Sequence, residues 1–208
     1  NSLYHCREVQ NFTPLHKNLK LKKILSIFIL AAIANTAYAQ EYKNQIKGNA
    51  LFAPIGMINI GYEHAFSQHW TGQADLFISP WKSFAGRHLQ IYMGHLETRY
   101  YFSKAMEKWY VGANMGMAVY DMQKWNYWNT SLYQKGFNVM LGASVGYQLK
   151  INDHWNLDLY LGGGNSQGFY HGWDSSKSPR ERYDDADNWN KSGEWIPYRG
   201  GIMVAYKF

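Results

Sequence analysis

The sequence is poor in the residues that would staple a small secreted fold or thread it through a bilayer as helices. It has one cysteine, Cys6, in 208 residues, so no internal disulfide is available. With only five prolines and 17% charged residues, it is neither a proline-rich linker nor a charged, disordered chain. Long apolar runs are missing too. The mean hydropathy of −0.46 is too low for a bundle of membrane helices, each of which needs roughly 20 consecutive apolar residues.

The longest apolar run is Ile24 to Ala34, preceded by Lys17, Lys20, Lys22 and Lys23 and followed by Ala37, Tyr38 and Ala39. A basic stretch, an apolar run of about 11 residues and a small-x-small site are the three parts of a secretory signal peptide. The run is too short for a hydrocarbon layer of roughly 30 Å. Residues 17–39 are therefore expected to be a cleaved signal peptide, with Gln40 the first mature residue. Residues 1–16 read as an extension upstream of the natural start, and 40–208 as one domain.

Residues 1–39 hold five of the 21 Lys and Arg and one of the 15 Asp and Glu, so the formal charge of +6 falls to about +2 without them. The basicity belongs to the targeting segment, and a nucleic-acid partner loses its support. Cys6 leaves with that segment, and the exported fold must rest on packing and hydrogen bonds.

What remains is rich in aromatics, 17%, and in glycine, 19 residues, a profile that suits strands. Period-2 alternation runs through nearly all of it and is read as eight strands. A weaker one is Gln45 to Phe52; the others are Met57–Phe66, Trp70–Ser79, Leu89–Phe102, Trp109–Asp121, Phe137–Leu149, Trp155–Leu161 and Arg199–Phe208. One face carries Ile60, Leu76, Leu96, Met115, Leu141, Leu159 and Val204. The opposite parity carries Glu63, Asp75, His95, Glu97, Arg99, Asp158, Arg199 and Lys207, with small residues between them.

Such a pattern fits a half-buried soluble sheet or an inverted membrane barrel. Three features favour the membrane. Short connections at 67–69, 103–108 and 150–154 alternate with longer ones at 80–88, 122–134 and 165–195, as short inner turns alternate with long outer loops. Each short turn is followed by Trp, namely Trp70, Trp109 and Trp155, with Phe66, Phe102 and Tyr147 at neighbouring strand ends. These residues read as an aromatic girdle at one membrane interface. Phe208 extends that girdle, and a terminal aromatic on the apolar parity resembles the strand that barrel-assembly machinery receives. The expected fold is all-β, an eight-stranded antiparallel barrel of a bacterial outer membrane with outer-membrane lipid as its solvent.

Several segments also resemble a family, the outer-membrane barrels grouped as domain of unknown function 3575. They are Asn49-Ala50-Leu51-Phe52, Asn59-Ile60-Gly61-Tyr62-Glu63, Pro80-Trp81, Glu97-Thr98-Arg99-Tyr100-Tyr101, Gly146-Tyr147, Trp155-Asn156-Leu157 and Gly201-Ile202, in that order. The resemblance implies the barrel and no particular activity. It departs in the last loop, where relatives carry a Cys pair and this chain has none.

An eight-stranded barrel has an interior that side chains fill, and four acids against three bases can nearly neutralise one another there. The expected interior is thus a structural plug without a pore. A lipid-modifying hydrolase or acyltransferase is the rival reading, in which Ser144, His95 and Glu97 on polar faces would form a triad. No hydrolase signature surrounds them, and no catalytic residue or cofactor is assigned. The 165–195 segment offers Tyr170, Trp173, Tyr183 and Trp189 for a surface glycan or protein ligand. Its Asp184-Asp185-Ala186-Asp187 run suits calcium by ligand type, but Trp189 stands where a further oxygen is needed, so it reads as a solvated turn. The expected role is structural or surface-interacting.

Overall fold

The computed structural model describes residues 42–124, 127–183 and 189–208. The expected signal peptide, its cleavage site, the upstream extension and the Asp184–Asp187 cluster lie outside these residues.

The described chain is all-β, with nine strands: β1 Asn44–Asn49, β2 Ile58–Ala65, β3 Trp70–Phe84, β4 Arg87–Tyr101, β5 Lys108–Met122, β6 Leu132–Lys150, β7 Trp155–Asp174, the two-residue β8 Glu181–Arg182 and β9 Asn190–Lys207. Consecutive strands from β1 to β7 pair antiparallel, β7 pairs β9, and β9 returns to pair β1. Eight strands therefore form a closed ring, and β8 only edges β7. The chain ends meet in the seam, where Asn44 and Phe208 exchange backbone hydrogen bonds of 3.2 and 2.9 Å.

The ring is inside out relative to a water-soluble sheet. Along β5, Trp109, Val111, Met115, Met117 and Val119 point outward and are exposed, while Tyr110, Asn114, Ala118 and Tyr120 are buried. The same alternation runs through the parts of the long strands nearer the 102–107 turn and places Glu63, Asp75, Glu97, Arg99, Asp158 and Arg199 inside. Gly112 and Gly116 take inward positions on β5 because their neighbours need the space. A Cβ at Gly112 would meet the Glu97 carboxylate, and one at Gly116 the His95 ring.

One end of the ring is sealed. The 102–107 turn folds Ala105 and Met106 inward, where they pack with Tyr101, Tyr110 and Met203. Asn156 Nδ2 donates to the Met106 carbonyl at 2.7 Å, and Ala105 N to the Gln68 carbonyl at 2.7 Å.

The strands run further at the other end than the sequence suggested. The expected loop at 80–88 is a hairpin turning on Ala85 and Gly86, both at positive φ, 50° and 78°, the geometry whose twist matches that of paired strands. Pro80 is tolerated in β3 because it falls beyond Ile78, the last β3 residue that β2 pairs, where one edge is free. Much of the expected 165–195 loop is likewise strand. Residues 165–174 pair with 132–141 of β6, and 190–195 pair with 165–170 of β7. Its glycines and polar residues resemble a loop in isolation; strand neighbours on both sides decide otherwise.

β1 and β2 are short, and this breaks the wall. β1 stops at Asn49, opposite Met203, and β2 starts at Ile58, opposite Ile78. Above that level β3 and β9 face each other without a strand between them. Residues 50–57 cross the gap, with a single 3-10 turn at Ala53–Ile55. They are fastened to β3 through Trp81 Nε1, which donates to the Ile55 carbonyl at 3.0 Å. The Phe52 and Phe77 rings also meet edge to face at 5.4 Å.

Candidate functional site

The charged interior is built from residues two apart on neighbouring strands, which the register stacks at matching heights. Arg99 is its centre and is fully buried. Its Nε donates to Glu97 Oε2 at 2.9 Å, and its Nη1 to Asp158 Oδ2 at 2.9 Å and to Glu63 Oε2 at 3.2 Å. The guanidinium lies over the Tyr110 ring, 4.4 Å from its centroid, where the π face adds attraction to the cation.

Each carboxylate has further donors. Glu63 accepts from Gln45 Nε2 at 2.7 Å, from Tyr101 Oη at 2.7 Å and from Thr71 Oγ1. Asp158 accepts from Tyr110 Oη at 2.9 Å. Asp75 accepts from Arg199 Nη2 and from Gln73 Nε2 at 3.2 Å. Arg199 Nη2 also stands 3.3 Å from Glu97. Buried charge is tolerated only when paired and hydrogen-bonded, and here every acid has a cation beside it.

Seven of the eight residues expected in the interior network meet there: Glu63, Asp75, His95, Glu97, Arg99, Asp158 and Arg199. The eighth, Lys207, is buried at the sealed rim, its ammonium 6.0 Å from the Tyr42 ring, and joins none of these pairs. Its place is taken by Lys47, which sequence reading missed. Lys47 Nζ bridges Glu63 and Asp158, at 2.6 Å from the latter. The signal was present in Gln45, Lys47 and Asn49 alternating with Ile46, but the strand is only six residues long.

Tyr198 was also missed. The pairing of β7 with β9 slips between Gly162 and Gly163, a bulge that turns Tyr198 inward next to Arg199 and breaks the period. Tyr198 Oη donates to Asn114 Oδ1 at 2.7 Å, and its ring stacks on His95 at 5.6 Å and 5°.

The imagined triad is not assembled. Ser144 Oγ donates to Glu97, while His95 stacks on Tyr198 and places Nδ1 3.5 Å from Asp75. Nucleophile and base thus have separate partners. Among the described residues no group of three or more His, Cys, Asp or Glu could hold a metal ion.

On the outer face, the aromatic residues expected to form a girdle make a repeated unit at the sealed end. Trp70 pairs across strands with Tyr100, Trp109 with Tyr147, and Trp155 with Tyr206. Their ring centroids lie 5.0, 5.1 and 5.0 Å apart at 61°, 74° and 63°. Phe66, Phe102 and Phe208 are exposed around the same rim.

At the opposite end, Tyr170 and Trp173 stand on β7, not in a loop. Trp189 stacks on His171 at 4.1 Å, and Tyr183 lies against Tyr127 at 6.0 Å. A polar cavity of about 580 Å³ opens here, lined by Lys82, Lys135 and Arg180 with His88 and Asp121. Below it, a second cavity of about 400 Å³ occupies the interior next to the gap between β3 and β9.

No curated protein and no solved structure matches the chain. The family model described as Protein of unknown function (DUF3575) matches residues 25–208, and the chain belongs to that family.

Proposed function

We propose that residues 40–208 form an eight-stranded β-barrel of a bacterial outer membrane, plugged by its own charges and acting as a structural or surface-interaction protein. The observation that carries this reading is the inverted distribution of side chains. Exposed Ile, Leu, Val and Met encircle the ring while Arg, Lys, Glu and Asp fill it. In water an apolar belt of that extent would be a severe liability, since soluble monomers rarely expose more than a few hundred Å² of contiguous apolar surface. In lipid it is the required exterior.

The dimensions agree. From Trp109 to Val119 on β5 is about ten residues, roughly 34 Å along the strand and about 26 Å in height at a tilt of about 40°, against an apolar band of roughly 25 Å in outer-membrane barrels. The Trp/Tyr pairs sit at one edge of this band, where an indole is stable between hydrocarbon and headgroups. The opposite end, with residues 123–124, 127–131, 175–183 and Trp189, would face the outside and meet a glycan or protein partner. The test is fractionation of cells with gel migration before and after heating. The protein should co-sediment with outer membranes and shift on heating. A soluble, heat-indifferent species would defeat the proposal.

A further inference from the structure

We propose that the interior cavity beside the gap between β3 and β9 is a binding site for a single-chain amphiphile with an uncharged, oxygen-bearing head, admitted sideways from the membrane. This inference rests on the barrel reading above and names a ligand class for it.

The cavity has two kinds of wall. Phe52, Phe77 and Met93 supply the apolar side, and His95, Tyr198 and Arg199 the polar end. At that polar end, buried polar atoms are left over. Arg199, 8% exposed, uses Nη2 for Asp75, and its Nε and Nη1 have no hydrogen-bond partner among the described residues. His95, 4% exposed, turns Nδ1 toward Asp75 and has no partner among the described residues at Nε2, which is the acceptor nitrogen when the Nδ1 proton faces that carboxylate. Buried polar groups are costly unless they are satisfied, so a head with a hydroxyl oxygen that accepts from Arg199 and a hydroxyl proton that it donates to His95 would complete this set.

Charge decides which acceptor. Glu63, Asp75, Glu97 and Asp158 face Lys47, Arg99 and Arg199, with His95 beside Asp75. The interior already holds one more acid than permanent cation. A carboxylate head would add a further negative charge near Asp75 and Glu97, where low dielectric strengthens repulsion. A neutral ester or hydroxyl head accepts the same hydrogen bonds without that cost.

The wall explains the route. Above Asn49 and Ile58 no strand separates β3 from β9. Among the described residues, 51–57 make no hydrogen bond to β9, and the segment is held to β3 by Trp81. The gap begins about eight residues above Trp70 on β3, roughly 21 Å up from the aromatic rim at a tilt of about 40°, which is the outer-leaflet side of the band. A volume of about 400 Å³ accommodates one chain near its head and leaves the tail in lipid.

The test uses the mature protein in a fluorinated surfactant, titrated with 1-monooleoylglycerol and, separately, with oleate at pH 8. Saturable binding of one monooleoylglycerol per protein is expected, with oleate at least tenfold weaker. Met93→Trp, which fills the cavity away from the ion pairs, should weaken binding at least tenfold while keeping the heat-dependent gel shift. Arg199→Gln should weaken it too, but Met93→Trp decides if that variant fails to fold. Absence of saturable binding by a protein that inserts into bilayers, or binding indifferent to Met93→Trp, overturns the site alone. Oleate binding as tightly overturns the uncharged head. A protein that does not insert overturns the barrel reading beneath it.

Discussion

Lys47 Nζ lies 2.6 Å from Asp158 Oδ2, across 111 residues of sequence and over the intervening strand β9. The contact ties the shortest of the eight ring strands, at one side of the seam, to the longest. The charge network therefore joins strands that do not pair with each other.

Removing that ammonium should therefore act at long range. Lys47→Met leaves Glu63 and Asp158 to share Arg99, and breaking a buried pair costs about 3–5 kcal/mol. Urea unfolding in micelles should show that loss for Lys47→Met and a clearly smaller one for Lys207→Met, because Lys207 joins none of the pairs. Equal losses would contradict the assignment of Lys47.

Arg99→Ala removes the cation common to Glu63, Glu97 and Asp158, and a similar loss of about 3–5 kcal/mol is expected. Wild-type protein in planar bilayers should conduct negligibly. Steady ion-selective currents from wild type, with Arg99→Ala altering selectivity and sparing stability, would replace the plug with a pore.

Gly112 stands where a methyl group would strike the Glu97 carboxylate and Ser144. Gly112→Ala should cost about 1–3 kcal/mol through overpacking, and Gly112→Ala with Ser144→Gly should recover part of it. The check is a double-mutant cycle in the same urea assay; strictly additive effects would mean that the two sites do not share that space.

At the open end, Asp174 accepts hydrogen bonds from Ser131 and from the backbone and hydroxyl of Ser176, which lower its carboxyl pKa to about 2. The folded value is depressed, so the order it gives to residues 174–176 is present above the ordinary Asp range and lost as pH falls through about 2. Carboxyl carbon NMR should find that midpoint and see it rise in Ser176→Ala. A wild-type midpoint near 4 would contradict the turn.

The sequence made the alternating faces legible because a closed ring with lipid-like and charge-filled sides imposes a strict period of two, and Glu63, Glu97, Arg99 and Asp158 all follow it. Strand ends were less legible. Residues 165–174 read as part of a long loop, yet β6 pairs all of them on one side and β9 the first six on the other, information that lies elsewhere in the chain. Lys47 was hidden by the brevity of β1, and Tyr198 by a bulge that no local pattern announces. The gap between β3 and β9 was unreadable for the same reason. It arises from where two strands stop, and neither Asn49 nor Ile58 carries a mark of that.

The central claim is that the apolar face meets lipid and the charged face does not. Residues 40–208 contain no cysteine, so single cysteines can be introduced and spin-labelled at Leu96, Met115, Met117 and Leu141 on the outer face and at neighbouring inward positions Ala118 and Met140. In bilayers, collision with dissolved oxygen should be high and collision with a water-soluble nickel chelate low at the four outer sites, while both should be low at the buried sites Ala118 and Met140, so that oxygen collision alternates from residue to residue along β5. Outer sites fully accessible to the nickel chelate in the presence of lipid would contradict the account.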